Sequence, residues 1–268
     1  MTTEKDAATA FLELHRPGVP LVMPNPWDRG TAKLFASLGF RALATTSSGY
    51  AAVLGRADGA VTRDEALDHA GEIAAATELP VSADLEACFA DDPAGVAETV
   101  RRAAQVGIAG CSVEDYSGEA IYDAGLAAER VTAAAEAAHA GEARLVLTAR
   151  AENYLRGHPD LADTIARLQS FQEAGADVVY APALSALADI EQVVRSVDVP
   201  VNVLIFPGGP SVGELASAGV ARISVGGAFS LVAYGAVTRA ARTLLEDGTH
   251  DFWETALLGR KARRDAFA

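Results

Sequence analysis

The chain has 268 residues, half of them hydrophobic, and a formal net charge of −14 at pH 7. This length allows one large hydrophobic core, and we expect a single domain over residues 1–268. The acidic excess argues against nucleic-acid partners, which are bound by clustered lysine and arginine, and against anionic membrane surfaces. No N-terminal targeting pattern is visible and no apolar run approaches the ~20 residues of a membrane span. We therefore expect a soluble, unprocessed protein.

Short apolar runs rich in Val, Ile and Leu alternate along the chain with alanine-rich segments of helical period. Such an alternation predicts βα units with a parallel sheet. The predicted strands cover residues 19–24, 41–46, 80–84, 108–114, 144–149, 177–181, 199–204 and 221–225. The helices fall between them, and residues 248–268 are predicted to be a C-terminal helical extension. Eight such units predict a closed (β/α)8 barrel.

Several predicted helices carry start signals. Thr62 with Glu65, and Ser211 with Glu214, have the spacing of a capping box, and Asp92 precedes a first-turn proline. An open nucleotide-binding sheet would usually have a glycine-rich turn after its first strand, whereas this chain has Asn-Pro-Trp-Asp-Arg-Gly there. The barrel is therefore the better prediction, and in barrels the catalytic groups lie at the C-terminal ends of the strands.

Cysteine is sparse, with Cys88 and Cys111 the only two in the chain. Both fall in or beside apolar, strand-like runs, and so few cysteines do not make the disulfide framework of a secreted protein. The sequence therefore favours a reducing compartment, and we expect a cytoplasmic protein.

Acidic side chains close two neighbouring predicted strands. Asp84 and Glu86 follow the third strand and point to one face, because side chains alternate along a strand, while Glu114 ends the fourth. Carboxylates crowded at one mouth repel one another unless a cation or shared protons relieve them. Mg2+ prefers such hard oxygen ligands. The cluster predicts a divalent-metal site, and a set of solvated loop acids is the structural alternative.

Other strand ends carry groups suited to an anion. Arg150 ends the fifth strand, where its planar fork could bind a carboxylate or phosphonate, or else form a surface salt bridge. Thr46, Ser47 and Ser48 follow the second strand, and their hydroxyls and N–H groups could cradle an anion or form a plain turn. Asn202 ends the seventh strand and is either a substrate ligand or a structural residue.

Two reaction classes are disfavoured by what the strand ends lack. None of the lysines, Lys5, Lys33 and Lys261, is predicted at a strand end, so a Schiff-base mechanism has no nucleophile. The histidines form no metal-binding group, which disfavours a zinc hydrolase.

The pattern as a whole resembles the isocitrate lyase / phosphoenolpyruvate mutase superfamily, and in particular its small phosphonomutase-like, methylisocitrate-lyase-like branch. The resemblance runs over most of the chain and is carried by residues 23–28, 45–49, 54–59, 80–86, 113–115, 148–153 and 223–227. It implies a homo-oligomer, a dimer or a dimer of dimers, in which neighbouring subunits exchange the last helix. It also implies Mg2+ at the strand ends, with Mn2+ as a possible substitute.

The resemblance also implies roles for single residues. Asp84 matches the acid that binds the metal directly, and Asp58, Glu86 and Glu114 match the acids that hold it through water. Arg150 matches the arginine that binds the substrate anion, and the hydroxyl-rich segment after strand two matches the one that binds the carboxylate end. Members act on a 2-oxo acid or its enolate, and a C–C or P–C bond is made or broken beside the metal.

The segment after strand four departs from the superfamily lyases. Isocitrate-type lyases carry Lys-Lys-Cys-Gly-His there, whereas residues 115–123 read Asp-Tyr-Ser-Gly-Glu-Ala-Ile-Tyr-Asp, with neither cysteine nor lysine. The longer, lysine-containing loop of the phosphonate enzymes is absent as well. Tyr116 and Tyr122 are candidates for the missing acid, and we take Arg150, Glu114 and Tyr116 as the candidate catalytic residues.

The expected function is a Mg2+-dependent carbon–carbon lyase acting on a small 2-oxo or 2-hydroxy carboxylic acid through a metal-stabilised enolate. One alternative is a phosphonopyruvate-type P–C enzyme, either a mutase or a hydrolase. A second alternative is a paralogue that binds 2-oxo acids without catalysis, which the missing loop cysteine keeps open.

Overall fold

Eight parallel strands form a barrel with helices between them, as the sequence predicts. The computed structural model describes residues 4–140 and 144–268. The strands are β1 (Leu21–Met23), β2 (Leu43–Ala44), β3 (Val81–Asp84), β4 (Gly110–Glu114), β5 (Val146–Arg150), β6 (Val178–Tyr180), β7 (Val201–Leu204) and β8 (Arg222–Ser224).

Eleven helices accompany the strands in the described part of the chain. They are α1 (Glu4–Glu13), α2 (Arg29–Ser37), α3 (Ser47–Val53), α4 (Arg63–Ala74), α5 (Pro93–Ala103), α6 (Ala124–His139), α7 (Leu161–Glu173), α8 (Leu187–Ser196), α9 (Val212–Ser217), α10 (Ala228–Arg242) and α11 (Trp253–Phe267). A π-helical turn, Thr243–Asp247, extends α10. None of the described helices is both long and apolar enough to cross a membrane.

The strands are paired in sequential order around the barrel. The order of the sheet is β1-β8-β7-β6-β5-β4-β3-β2, and every pair is parallel. The Ala44 N–H donates to the Pro24 carbonyl at 3.1 Å and so links the two ends of the sheet. All eight predicted strands are confirmed, and each is shorter than its prediction because the apolar runs continue into the turns. Only β5 extends past its prediction, by the residue Arg150.

The predicted helix starts are confirmed. Thr62 and Glu65 form a reciprocal capping box at α4, and Ser211 and Glu214 form one at α9. Asp92 caps α5, whose first residue is proline. Each device satisfies backbone N–H groups that the first helical turn leaves without partners.

Helix α1 closes the N-terminal end of the barrel. Phe11 is fully buried in a cluster that includes Leu21, Val146 and Val178, the first residues of β1, β5 and β6. A side chain at Gly110 would lie 3.0 Å from the Phe11 ring, so this close approach requires glycine. Access to the barrel interior is therefore from the C-terminal end.

Asp177, just before β6, joins three elements at the same N-terminal end. Its carboxylate accepts the Leu147 N–H at 2.8 Å and the Arg144 guanidinium at 2.6 Å, and it lies 2.8 Å from His139 Nε2. Burial alone raises the pKa of Asp177, but the hydrogen bonds from His139 and Leu147 and the charge of Arg144 hold it below its ordinary value. The charged form of Asp177 therefore stabilises the fold.

Helix α10 packs on the barrel through a few residues, such as Phe229, whose ring lies 5.5 Å from that of Phe35, and leaves most of its apolar side chains exposed. Ser230 is its one buried residue, while Leu231, Val232 and Val237 are exposed by 71%, 66% and 68%. Apolar side chains are exposed along α11 as well, including Leu258. The C-terminal part of the chain thus presents a large apolar surface.

Candidate active site

A small cavity opens between the C-terminal ends of the strands. Its volume is about 170 Å³, and Asp84 lies in its wall. A wider chamber of about 640 Å³ covers the loops after β3 and β4. Ser47, Asp58, Arg150 and Leu155 line both spaces, which therefore adjoin. We refer to them as the inner cavity and the outer chamber.

Arg150 lies at the centre of an ion-pair network in the cavity wall. Its Nη1 donates to Asp84 Oδ1 at 2.9 Å, and its Nη2 lies 3.1 Å from Glu114 Oε2 and 2.9 Å from Glu152 Oε1. Burial alone lowers the pKa of Arg150, but the charges of Glu152, Glu114 and Asp84 hold it well above its ordinary value. Arg150 is therefore a fixed cation whose orientation three carboxylates determine.

The sheet itself brings these residues together. Asp84 ends β3, while Glu114 and Arg150 end β4 and β5 and are direct partners in the strand register. Neighbouring parallel strands end at the same edge, so their last side chains meet. The Glu152 N–H donates to Asp115 Oδ1 at 2.8 Å, which holds the loop after β5 against the end of β4.

The segment after β2 holds Asp84 from the other side. The Ser47 N–H donates to Asp84 Oδ2 at 3.2 Å, and the Asp84 N–H donates to Thr45 Oγ1 at 2.8 Å. Thr46 caps α3 by accepting the Gly49 N–H at 3.3 Å. A side chain at Gly49 would lie 2.5 Å from Thr46 Cγ2, so this turn requires glycine. The predicted anion-binding segment is thus the first turn of a helix that lies against Asp84.

The loop after β3 carries Glu86 in a conformation that residues with side chains rarely adopt. Glu86, Cys88 and Phe89 have φ values of 50°, 57° and 55°, in the left-handed region. Arg130 is almost fully buried and donates to three carbonyls of this loop, among them that of Ala87 at 2.8 Å. Arg130 therefore holds the strained loop in place beside the site.

The remaining predicted residues lie at different depths. Asp58 lines both spaces, and Ser48 lines the inner cavity. Tyr116 lines the outer chamber only, where its hydroxyl donates to the Gly118 carbonyl at 2.8 Å and its ring lies 3.8 Å from the Arg156 guanidinium. Tyr116 is thus on the path to the inner cavity and separate from its wall.

Asn202 lies behind the cavity wall. It is 1% exposed, and its Nδ2 donates at 3.1 Å to Ser224 Oγ, which does line the inner cavity. Asn202 Oδ1 has no hydrogen-bond partner among the described residues. The structure therefore places Asn202 one layer from the space it is predicted to serve.

Four further residues belong to the site although the sequence does not single them out. Two belong to the ion-pair network around Arg150, and two line the inner cavity. They are Glu152, Arg156, Tyr180 and Arg222. A charged residue inside the apolar run 220–225 is the one sequence signal that could have drawn attention to Arg222.

A family model described as phosphoenolpyruvate phosphomutase matches residues 11–245. The chain belongs to this family. The match begins within α1 and ends in the π-helical turn after α10, so it spans every strand of the barrel.

Relatives of this phosphoenolpyruvate phosphomutase family member include solved structures. A protein of the lyase/mutase class from Burkholderia cenocepacia J2315 is 49% identical, with a TM-score of 0.93 over 97% of this chain and 95% of that chain. 2,3-Dimethylmalate lyase, a PEP mutase/isocitrate lyase superfamily member, is 27% identical, with a TM-score of 0.82 over 94% and 90%. An uncharacterized protein of Mycobacterium tuberculosis is 34% identical over 237 residues, 88% of each chain. The predicted superfamily and barrel are thereby confirmed.

The Mg2+ ion that the superfamily implies suits the donor groups of the site. Burial, together with the charges of Asp84 and Asp58, raises the pKa of Glu86 to about 7. Burial also raises the pKa of Glu114, although Arg150 opposes the shift. Carboxylates whose charged forms are disfavoured by crowding are relieved by a hard cation. The electrostatics of this family member therefore fit a divalent metal.

The four predicted metal acids are not gathered into one close group. The Arg150 guanidinium bridges Asp84 and Glu114. Within residues 4–140 and 144–268, no three His, Cys, Asp or Glu side chains are arranged to enclose a metal. Mg2+ commonly keeps several waters and uses only one or two carboxylates. The fit in this family member thus rests on Asp84, while Asp58 lines both spaces and Glu86 lines the outer chamber.

Proposed function

We propose that this chain is a Mg2+-dependent carbon–carbon lyase that acts on a small 2-oxo or 2-hydroxy carboxylic acid. The observation that carries the proposal is the 2.9 Å pairing of Asp84 with Arg150 in the wall of a small cavity. One side chain offers oxygen ligands to a cation and the other a planar fork to a carboxylate. The relationship to 2,3-dimethylmalate lyase supports cleavage of a carbon–carbon bond.

In this proposal the residues of the chain bind and orient the acid. Arg150 donates to the substrate carboxylate, and Ser47 and Ser48 offer a hydroxyl and an N–H from the first turn of α3. Asp84 would hold Mg2+, which would supply electrostatic stabilisation of the negative charge that develops on the substrate. The inner cavity has a volume of about 170 Å³, so a bound acid would displace much of its water, and these contacts would be stronger as a result.

Glu114 and Tyr116 take different parts in the proposed reaction. Glu114 acts through Arg150, whose guanidinium it holds at 3.1 Å. Tyr116 is the proposed proton donor, because its hydroxyl lies in the outer chamber that leads to the inner cavity. Its present partner, the Gly118 carbonyl, belongs to the same loop, so a movement of that loop carries both groups together.

The first test is a screen of 2-oxo and 2-hydroxy acids with added Mg2+ or Mn2+, scored by release of pyruvate, glyoxylate or CO2. We expect turnover that EDTA abolishes and Mg2+ restores. Asp84→Ala should lose turnover and also Mg2+ binding in calorimetry. Glu98→Gln, at an exposed carboxylate paired with Arg101 on α5, should keep both. Activity that survives EDTA and Asp84→Ala contradicts the proposal.

The match to phosphoenolpyruvate phosphomutase favours one second candidate, an enzyme that breaks or makes a P–C bond. Arg150 suits a phosphonate as well as a carboxylate. Phosphorus NMR of an incubation with phosphonopyruvate separates the candidates, since only the second predicts loss of the P–C signal. Tight binding of 2-oxo acids without turnover in either assay would identify a non-catalytic paralogue.

We also propose that the protein is a cytoplasmic homo-oligomer, a dimer or tetramer, whose subunits exchange C-terminal helices. The exposed apolar side chains of α10 and α11 support a partner of the same kind. Cys88 and Cys111 are buried and free, which suits a reducing compartment.

A further inference from the structure

Arg222, the first residue of β8, forms part of the floor of the inner cavity. Its side chain lines that cavity although the residue is only 4% exposed. Its Nη1 donates to Thr148 Oγ1 at 2.9 Å, and its Nε has no hydrogen-bond partner in the described part of the chain. Among the described side chains, no carboxylate forms an ion pair with it. Arg222 thus contrasts with Arg150, which has three carboxylate partners.

A buried cation without a counterion is costly, because it has lost its hydration and gained no opposite charge. Burial lowers the pKa of Arg222 to about 10, and the charge of Arg150 in the same cavity acts in the same direction. The guanidinium nevertheless remains protonated at neutral pH. The fold therefore keeps a positive charge at the base of the cavity that the described protein groups do not compensate.

The surroundings of Arg222 are polar as well. Ser82, Ser112, Tyr180 and Ser224 line the inner cavity together with it. Barrel interiors are usually filled by branched apolar side chains, as in the cluster around Phe11 of α1, which includes Leu21, the strand partner of Arg222. A floor of hydroxyl groups and one cation suits an anionic group and disfavours an alkyl group.

We propose that Arg222 and the hydroxyls around it bind a second anionic group of the substrate, so that the site selects compact acids with a carboxylate at each end. The inference rests on the proposed function, in which Arg150 and Asp84 bind the 2-oxo or 2-hydroxy end at the mouth. Arg222 then binds the distal carboxylate. A cavity of about 170 Å³ limits the acid to a short carbon chain.

The test compares acids that differ only by a carboxylate in place of a methyl group. Malate is paired with 2-hydroxybutyrate, and 2-oxoglutarate with 2-oxopentanoate, and affinities are measured by calorimetry at saturating Mg2+. For at least one pair the protein should bind the dicarboxylic member roughly 10- to 150-fold tighter, the range of a charge-assisted pair. Arg222→Met should remove this preference and leave the monocarboxylic affinity unchanged. Arg102→Met, at a surface arginine of α5, should retain it.

Urea denaturation distinguishes a binding role from a structural one. Removal of an uncompensated buried cation should leave the unfolding midpoint of Arg222→Met equal to that of the wild type or higher. If Arg222 mainly supports Thr148, Arg222→Met should have a lower unfolding midpoint than the wild type. That result would overturn the inference. So would a preference that survives in Arg222→Met, or a wild-type protein that binds neither dicarboxylic acid more tightly than its partner.

The same measurements separate this inference from the proposed function. If the preference for dicarboxylic acids depends on Arg222 but no acid in the screen is turned over, the subsite is supported and the lyase function is rejected. If Asp84→Ala abolishes turnover but no preference for dicarboxylic acids depends on Arg222, the lyase function is supported and the subsite is rejected.

Discussion

Arg150 connects most of the charged groups of the site through one side chain. Its guanidinium contacts Asp84, Glu114 and Glu152, and it lies 5.4 Å from the centre of the Tyr180 ring. A lysine carries a point charge in place of the planar fork and cannot donate to three carboxylates in this geometry. Even a change that preserves the charge should therefore disturb the site.

Arg150→Lys should lower kcat/KM roughly 10- to 150-fold, because it loses charge-assisted hydrogen bonds of about 1.5–3 kcal/mol. The measurement uses the best acid from the metal-supplemented screen. Arg102→Lys, on the surface of α5, is the matched control and should retain full activity. Equal activity in Arg150→Lys and the wild type would exclude the assigned role.

Asp177 lies at the barrel end opposite the site, so we expect its substitution to change the stability of the fold rather than the activity. Its pKa is held below the ordinary value of 3.8, so its charged form stabilises the fold above that pH and the contribution is lost as the pH falls through the lowered pKa. Asp177→Asn should lower the urea midpoint at pH 7 and leave catalysis at 25 °C unchanged. The difference from the wild type should shrink below pH 4, and a difference that stays constant down to pH 3 would refute the assignment.

Single residues are predictable from the sequence where they follow an apolar run. Asp84, Glu114 and Arg150 were identified in this way, and the structure brings all three into contact. Arg222 was not identified, because both faces of a barrel strand are buried and the sequence therefore shows no alternation that marks an inward position. Glu152 was missed for a different reason, since its contact with Arg150 depends on the path of a loop.

The capping boxes of α4 and α9 are expected to stabilise the helices that they begin. Thr62→Ala and Ser211→Ala should each lower the free energy of unfolding by about 1 kcal/mol, because each exposes helical N–H groups that lose their partner. Thr132→Ala is the control, since its hydroxyl bonds to Ala128 within the exposed face of α6. Urea titrations should show a change below about 0.5 kcal/mol there. Equal losses at all three positions would contradict the capping role.

The sequence predicts the order and type of the barrel elements, but it does not predict the conformations of the loops. The strands and the three helix caps depend on local signals, namely apolar runs and N-cap side chains. The loop after β3 does not, because the left-handed conformations of Glu86 and Phe89 depend on Arg130, which is 40 or more residues further along the chain. Such a conformation is imposed by tertiary contacts and leaves no local pattern.

At the scale of the molecule, α11 packs against α2 of the same chain, but α10 and α11 leave many apolar side chains exposed. Residues of α10 that would be buried in an ordinary barrel are exposed, which predicts that a second copy covers them. The sequence predicts a C-terminal helical extension over residues 248–268, but the exposed apolar side chains already begin on α10, at Leu231. A periodic apolar helix has the same pattern whether it packs on its own barrel or on another.

Val232→Asp should reduce the oligomer to smaller species, because it introduces a charge into the apolar surface of α10. Val19→Asp is a closely matched control, since Val19 is exposed by 68% and Val232 by 66%. Light scattering after gel filtration gives the mass of each variant. A wild-type protein that is monomeric, or a Val232→Asp variant with unchanged mass, would reject the exchange of helices.

The closure of the barrel by α1 has a consequence for the timing of the reaction. With Phe11 packed against Gly110, the inner cavity is closed at its base. The part of a bound acid that enters first must therefore leave last. In the proposed lyase reaction, the fragment nearer the mouth would depart while the deeper fragment still occupies the enzyme. In initial-rate measurements the deeper product should therefore inhibit competitively against the substrate, and the outer product noncompetitively.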